Sequence, residues 1–223
     1  MKESPGSGIV HVWTLKLDTA SGPPRASAWT QARAILARYL DCLPSEVPIE
    51  RTGVGKPILG PSAPRQLAFS LSHSGTYGLL AITGGQASGV DLERVREVRD
   101  ARALAARFFT PEEAEAIRSV GGTEDDLRDA FFRTWVRKEA YLKGLGETVP
   151  GGLRRFEVRS EGANPPRIVS TTLETTAVTG WSLRDLDAPD GFAAAVALEG
   201  DLVRVVLLPA GTTQRLGNAS PSA

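Results

Sequence analysis

The chain of 223 residues has one cysteine, Cys42, and two histidines, His11 and His73. One thiol cannot build a disulfide framework or a cysteine-based zinc cluster, and two histidines leave little for a histidine-rich metal site. A lone thiol suits a reducing, cytoplasmic setting. Lysine is scarce: of the 26 basic residues only five are lysine, at 2, 16, 56, 138 and 143. The 26 acidic residues bring the formal net charge to zero. That excludes a protein that holds nucleic acid by bulk positive charge, although a local basic pocket remains allowed. No apolar run approaches the ~20 residues that a membrane helix needs. The first 25 residues lack a charged start, an apolar middle and a small-residue cleavage site in that order, so no signal peptide is expected. What is present is ordinary for a globular protein, with 41% hydrophobic and 23% charged residues. At roughly 150 residues per domain the length allows one large domain or two small ones.

Residues 9–17 (IVHVWTLKL) are β-branched and partly alternating, which predicts a strand. After the break at 21–24, Trp29, Ala32, Ile35, Leu36, Tyr39 and Leu40 recur at helical spacing, with Ser27 as the expected N-cap. Proline and glycine make 41–66 loop-like. Two strand-like halves then flank His73-Ser74-Gly75, and 83–89 is the clearest internal break before a new strand, GVDLERV. Residues 100–118 read as an interrupted helix that restarts at Thr110, with Pro111 in its first turn and Glu113 three residues after the cap. The strongest helix spans 126–147 and is closed by Gly144 and Gly146. From 150 onward the pattern is β-rich, and from 209 it is a small, polar, disordered tail. Gly75–Ile82 faintly echoes Gly191–Leu198. With strand, helix and strands in the same order on each side of residue 86, this suggests two similar α+β halves.

Asp91 and Glu93 stand two apart in a strand, so they share one face while Val90 and Leu92 share the other. Two close carboxylates repel, and a bound Mg²⁺ relieves that repulsion. The competing reading is a strand's solvent face. Trp135, Glu139 and Lys143 lie four apart on one helix face, and alone they also read as a surface Glu–Lys pair beside a partly buried tryptophan. Phe131, Phe132, Trp135 and Leu142 are expected to anchor this helix in the core. Gly53–Pro57 resembles a fragment of a phosphate loop but lacks the first glycine and the Ser/Thr of a Walker A loop. Its Lys56 could meet a phosphate or be a solvated turn residue. Ser72 and His73 end an apolar run and suit either phosphate contact or ordinary hydrogen bonding. No Gly-x-Ser-x-Gly elbow supports a serine hydrolase.

The order of these pieces is informative. GKP (55–57), FSLSHS (69–74), GVDLE (89–93), FFTPEE (108–113) and WVRKEAYLK (135–143) together resemble the surfactin-type (Sfp-type) 4'-phosphopantetheinyl transferases. The resemblance implies an α+β fold, a pseudo-dimer of two similar halves with the coenzyme between them. The halves would be 1–86, on the 3'-phosphoadenosine side, and 87–208, carrying the metal and catalytic motifs, with a tail at 209–223. The implied reaction moves phosphopantetheine from coenzyme A to a serine of an acyl or peptidyl carrier protein and releases 3',5'-ADP. Asp91, Glu93 and Glu139 would hold Mg²⁺, or Mn²⁺ in its place. Lys143 would contact the scissile pyrophosphate, and Asp91, Glu139 and Lys143 would be catalytic. Arg33, Arg51, Lys56, Ser72 and His73 would hold the 3'-phosphoadenosine end, with Lys138 a further cofactor contact. The base for the carrier serine would be Glu139 or a metal-activated water. Ser70 stands where the family often has Asn. An edge of Arg102, Arg107, Arg118, Arg128 and Arg133 would meet an acidic carrier. A monomer without nucleic-acid or membrane partners is expected. The alternatives are a Mg²⁺-dependent nucleotide or phosphodiester hydrolase and a non-catalytic module that binds coenzyme A or a carrier.

Overall fold

The computed structural model describes residues 3–20, 22–147, 152–160, 164–172 and 180–209. The first stretch of chain forms β1 (Ile9–Lys16), α1 (Pro24–Leu40), β2 (Ile49–Arg51), β3 (Pro57–Leu59), β4 (Ala68–Ser74) and β5 (Tyr77–Thr83). The second forms β6 (Ser88–Arg94), α2 (Ala101–Phe108), α3 (Pro111–Arg118), α4 (Glu124–Leu145), β7 (Phe156–Arg159), β8 (Arg167–Thr171), β9 (Trp181–Asp185), β10 (Phe192–Glu199) and β11 (Arg204–Pro209). Pro209, the expected start of the tail, closes β11, and 210–223 lie outside the described residues.

The fold is α+β, and its two main sheets are wired alike. One runs β11-β1-β5-β4 and the other β6-β10-β9. In each, an opening strand pairs antiparallel with a closing strand, which pairs antiparallel with the strand before it. The sequence echo falls on the corresponding strands β5 and β10. Their approach turns contain Gly75 and Gly191 at φ of 57° and 76°, left-handed values that glycine adopts at little cost. The strand β11 falls in the β-rich stretch that the sequence marks, but its partner is not foreshadowed: it pairs parallel with β1.

Burial arranges these elements as helix, sheet, sheet, helix. Trp13, Leu15, Leu80 and Ile82 turn one face of the first sheet to Ala32, Leu36 and Leu40 of α1. Val10, Val12, Leu79 and Ala81 turn its other face to Val90, Leu92, Ala194 and Val196 of the second sheet. The far face of the second sheet, with Ala193, Ala195 and Ala197, packs on α4. Strands covered on both faces read as continuous apolar runs, which explains the blurred alternation of β5 and β10.

Helix α1 begins at Pro24, three residues before the expected cap, because proline's fixed φ suits a first helical turn. Ser27 lies inside the helix, where its Oγ instead accepts the amide of Asp18 at 3.1 Å. Helix α3 has the expected capping box of Thr110 and Glu113. Helix α4 starts at a second box, Thr123 and Asp126, and stops at Gly146 with φ 78°. It is anchored by ring contacts: Phe109 and Phe131 lie 5.2 Å apart and tilted, and Phe108 and Trp135 meet edge to face at 5.5 Å. Such pairs contribute about 0.5–1.5 kcal/mol each beyond burial.

Two glycines set how closely α4 approaches β6. A Cβ on Gly89 would overlap the Ala140 carbonyl and the Gly144 amide, and one on Gly144 would overlap the Trp181 ring. Overpacking costs typically 1–3 kcal/mol, and backbone cannot step aside as a side chain can. Gly89→Ala is therefore expected to destabilise the chain by about 3 kcal/mol in urea unfolding. An unchanged midpoint would contradict this backbone contact.

Candidate active site

Val90 and Leu92 are fully buried between the sheets, so the alternation of β6 turns Asp91 and Glu93 toward α4. One turn apart on α4, Glu139 and Lys143 face them. The Lys143 Nζ lies 2.5 Å from Asp91 Oδ1 and 3.8 Å from Glu139 Oε2. Three carboxylates thus converge on one ammonium; the spacing predicts each shared face, and the fold brings the two faces together. From β4, Ser72 Oγ donates to Asp91 Oδ1 at 2.7 Å and accepts from Lys143 Nζ at 2.9 Å. Ser74 Oγ donates to Glu93 Oε2 at 2.8 Å.

Crowding shows in the electrostatics. Burial first, and then the charges of Asp91 and Glu93, push Glu139 up to about 7, against the pull of Lys143. Burial and Asp91 likewise raise Glu93. Lys143 is held above its usual range: burial pulls it down most strongly, but Asp91, Glu139 and Glu93 together outweigh that. His73 is lowered by burial and by the charges of Lys143 and Arg25. Arg25, in the first turn of α1, was not singled out in the sequence. No periodicity marks it, and only the fold brings it toward His73.

The other expected cofactor residues are spread around this cluster. Lys56 reaches the carbonyl of Gly144 at 2.7 Å, capping the end of α4, and burial lowers it. Arg51 folds back on the Gly55 carbonyl at 2.8 Å, and Arg33 holds the Val47 carbonyl at 3.0 Å. Ser70 accepts the Val90 amide at 3.1 Å. Lys138 does not join the cluster. It is fully buried, with Nζ at 2.6 and 2.8 Å from the Glu113 carboxylate and 2.5 Å from the Phe156 carbonyl. Three protons meet three oxygens, leaving no donor for a phosphate. Of the arginine edge, Arg102, Arg118 and Arg128 pair with Glu124, Glu115 and Asp125, so much of its charge is neutralised. Arg107 lies over the Phe108 ring, and Arg133 lines a cavity of about 340 Å³ bordered by α3, α4 and β7.

The cluster can be tested against a divalent cation. Among the described residues no three His, Cys, Asp or Glu side chains form a ready-made metal cage. Lys143 stands between two of the carboxylates. Yet every donor is a hard oxygen, acidic groups outnumber the ammonium, and the buried Asp91 Oδ2 has no hydrogen-bond partner. An unpartnered buried carboxylate oxygen is costly, and a hard cation such as Mg²⁺ would satisfy it.

Known proteins resemble the chain over the stretch that carries this cluster. The model of the 4'-phosphopantetheinyl transferase superfamily matches residues 87–197, the stretch that holds all three carboxylates and Lys143. The chain is 37% identical over 169 residues to the 4'-phosphopantetheinyl transferase HetI of Nostoc sp., covering 75% of this chain and 67% of that one. It is 30% identical over 179 residues to a phosphopantetheinyl transferase of Thraustochytrium sp., covering 75% of this chain and 60% of that one. Among solved structures, a holo-(acyl-carrier-protein) synthase from Bacillus anthracis in complex with CoA (3',5'-ADP) shares 21% identity. It covers 52% of this chain and 96% of that one, with a TM-score of 0.39. The chain belongs to the 4'-phosphopantetheinyl transferase superfamily.

The two motif lysines can be told apart. Removing one member of a buried ion pair costs about 3–5 kcal/mol, because the other charge is left stranded. Lys138→Met should lose about that much in denaturant unfolding while its folded fraction keeps the wild-type affinity for coenzyme A. A weakened affinity with intact stability would return Lys138 to the cofactor.

Proposed function

We propose that this chain is a surfactin-type 4'-phosphopantetheinyl transferase. It moves the phosphopantetheinyl group of coenzyme A onto a serine hydroxyl of an acyl or peptidyl carrier protein. The observation that carries this reading is the meeting of Asp91, Glu93, Glu139 and Lys143 where β6 lies against α4, beside a buried and unpartnered carboxylate oxygen. Family membership supports it. Both halves of the fold stand on one chain, and one chain supplies the whole cluster, which suits a monomer.

The chemistry follows from the charges. The carrier serine oxygen attacks the phosphorus that bears pantetheine. A new P–O bond forms there, and the bond to the 3',5'-ADP oxygen breaks. In such transfers catalysis is mostly alignment and charge neutralisation. Bound Mg²⁺ would supply positive charge against the pyrophosphate, held by Asp91, Glu93 and Glu139. Lys143 neutralises charge that builds on the departing 3',5'-ADP. Glu139 would be the protein's own acceptor for the serine proton. Lys143 and Arg25 both act electrostatically on His73, and His73 and Arg25 would meet the anionic end of the coenzyme. Coenzyme A as substrate fits a cytoplasmic enzyme. Among the described residues, no helix is long and apolar enough to cross a membrane.

The test is a loading assay by mass spectrometry, with coenzyme A and several apo carriers, with and without Mg²⁺. The expected result is a carrier heavier by one phosphopantetheinyl group only when Mg²⁺ is present. Asp91→Ala and Glu139→Ala should abolish loading and leave the circular dichroism spectrum intact. Cleavage of coenzyme A without a heavier carrier would favour a hydrolase, and binding without turnover would favour a binding module.

A further inference from the structure

The seam between the two sheets is built by side chains rather than by a backbone ladder. Strands β4 and β6 lie against each other but belong to different sheets. Every second residue of β4 is a serine along this seam. The hydroxyls of Ser70, Ser72 and Ser74 accept the amides of Val90, Leu92 and Arg94 at 3.1, 3.4 and 3.0 Å. The period of two on one strand matches the period of two on the other. A serine hydroxyl has one proton and two lone pairs. With a lone pair committed to the amide, the proton is directed onward. Ser72 sends it to Asp91 and Ser74 sends it to Glu93. Opposite Ser70 the equivalent residue is Gly89, which has no side chain to receive it.

Both serines therefore fix one oxygen of a carboxylate carried by the other half of the molecule. At Asp91 the result is visible: Oδ1 is held by Ser72 and Lys143, and Oδ2 is left buried and unpartnered. Ser72 has spent its whole inventory, since its proton goes to Asp91 and its lone pairs face Leu92 and Lys143. Nothing remains for the 3'-phosphoadenosine end that the family resemblance assigned to it.

We propose that Ser72 and Ser74 are positioning residues through which the N-terminal half orients the Asp91 and Glu93 carboxylates of the C-terminal half. This rests on the transfer reading above, and it assigns the two hydroxyls to the acidic cluster rather than to substrate. Losing the group that orients a metal-binding carboxylate typically costs about 10–100-fold in metal affinity or rate.

The experiment uses the full chain, with Ser72→Ala, Ser74→Ala and Ser74→Thr. Three readouts are taken: Mn²⁺ titration by electron paramagnetic resonance with 3',5'-ADP present, carrier-loading kinetics, and thermal unfolding. Each alanine variant should weaken Mn²⁺ binding and lower kcat by about 10–100-fold, with KM for coenzyme A changed less than about twofold. Ser74→Thr keeps the hydroxyl and should restore both. Should Ser72→Ala fail to fold, the half-buried Ser74 pair still decides. A raised KM with unchanged kcat overturns the proposal, as does wild-type Mn²⁺ affinity in folded alanine variants. A wild-type chain that loads no carrier overturns the transfer reading instead, and the Mn²⁺ titration still judges the serines.

Discussion

The site depends on one contact without side chains. Gly89 on β6 and Gly144 on α4 let helix backbone rest directly on strand backbone. Asp91 follows Gly89 by two residues, and Lys143 precedes Gly144 by one. The closeness of the two glycines therefore fixes the reach between the two charges. A methyl group at the contact would push the helix outward and open the ion pair before any functional side chain had changed. The charged cluster inherits its dimensions from the packing beneath it.

Charge is then sorted by direction along one helix. Lys138 and Lys143 are five residues apart on α4, hence about 140° round its axis. Lys138 points into the core, beneath Phe156 and against Glu113, and acts as a tie between α3, α4 and β7. Glu113 also receives the amides of Thr110 and Val158, so one carboxylate closes a helix cap, a strand end and an ion pair together. Lys143 is part-exposed and faces three carboxylates. One residue type ties the core at one azimuth and meets the acidic cluster at the other. A chain that otherwise prefers arginine keeps lysine at both, where a compact ammonium fits among several oxygens.

The legible parts of this arrangement were the local ones. Alternation across Val90-Asp91-Leu92-Glu93 gave the acidic face because a strand's period is short and both of its faces had a clear polarity. Helix α4 was marked by its heptad-like aromatic stripe and its terminal glycines. The angle of Lys138 away from Glu139 was also readable, but its partner was not, because Glu113 sits on another helix. The β4 serines hide their partners for the same reason: the resemblance offers Ser72 to the coenzyme, not to Asp91. Three polar residues spaced by two look like an ordinary solvated strand face until β6 is placed beside them. Ser27 has the chemistry of a cap, but two prolines upstream have the backbone for it, so α1 starts before the serine. Arg25, Lys56 and Arg33 acquire their meaning from segments distant in sequence, and no local pattern records that.

The last described strand has a consequence for how the molecule is made. β11 pairs with β1, so the first sheet takes its final strand from the far end of the chain. During synthesis β1 must wait for β11 until the residues between them have been produced. Its outer edge stays unpaired over that time, the condition in which strands recruit wrong neighbours. The early sheet can form from β1, β5 and β4, but its closure is a late, long-range event of the kind that slows folding. The pairing of β11 with β1 therefore adds to the serine seam and the apolar layer that already join the two sheets.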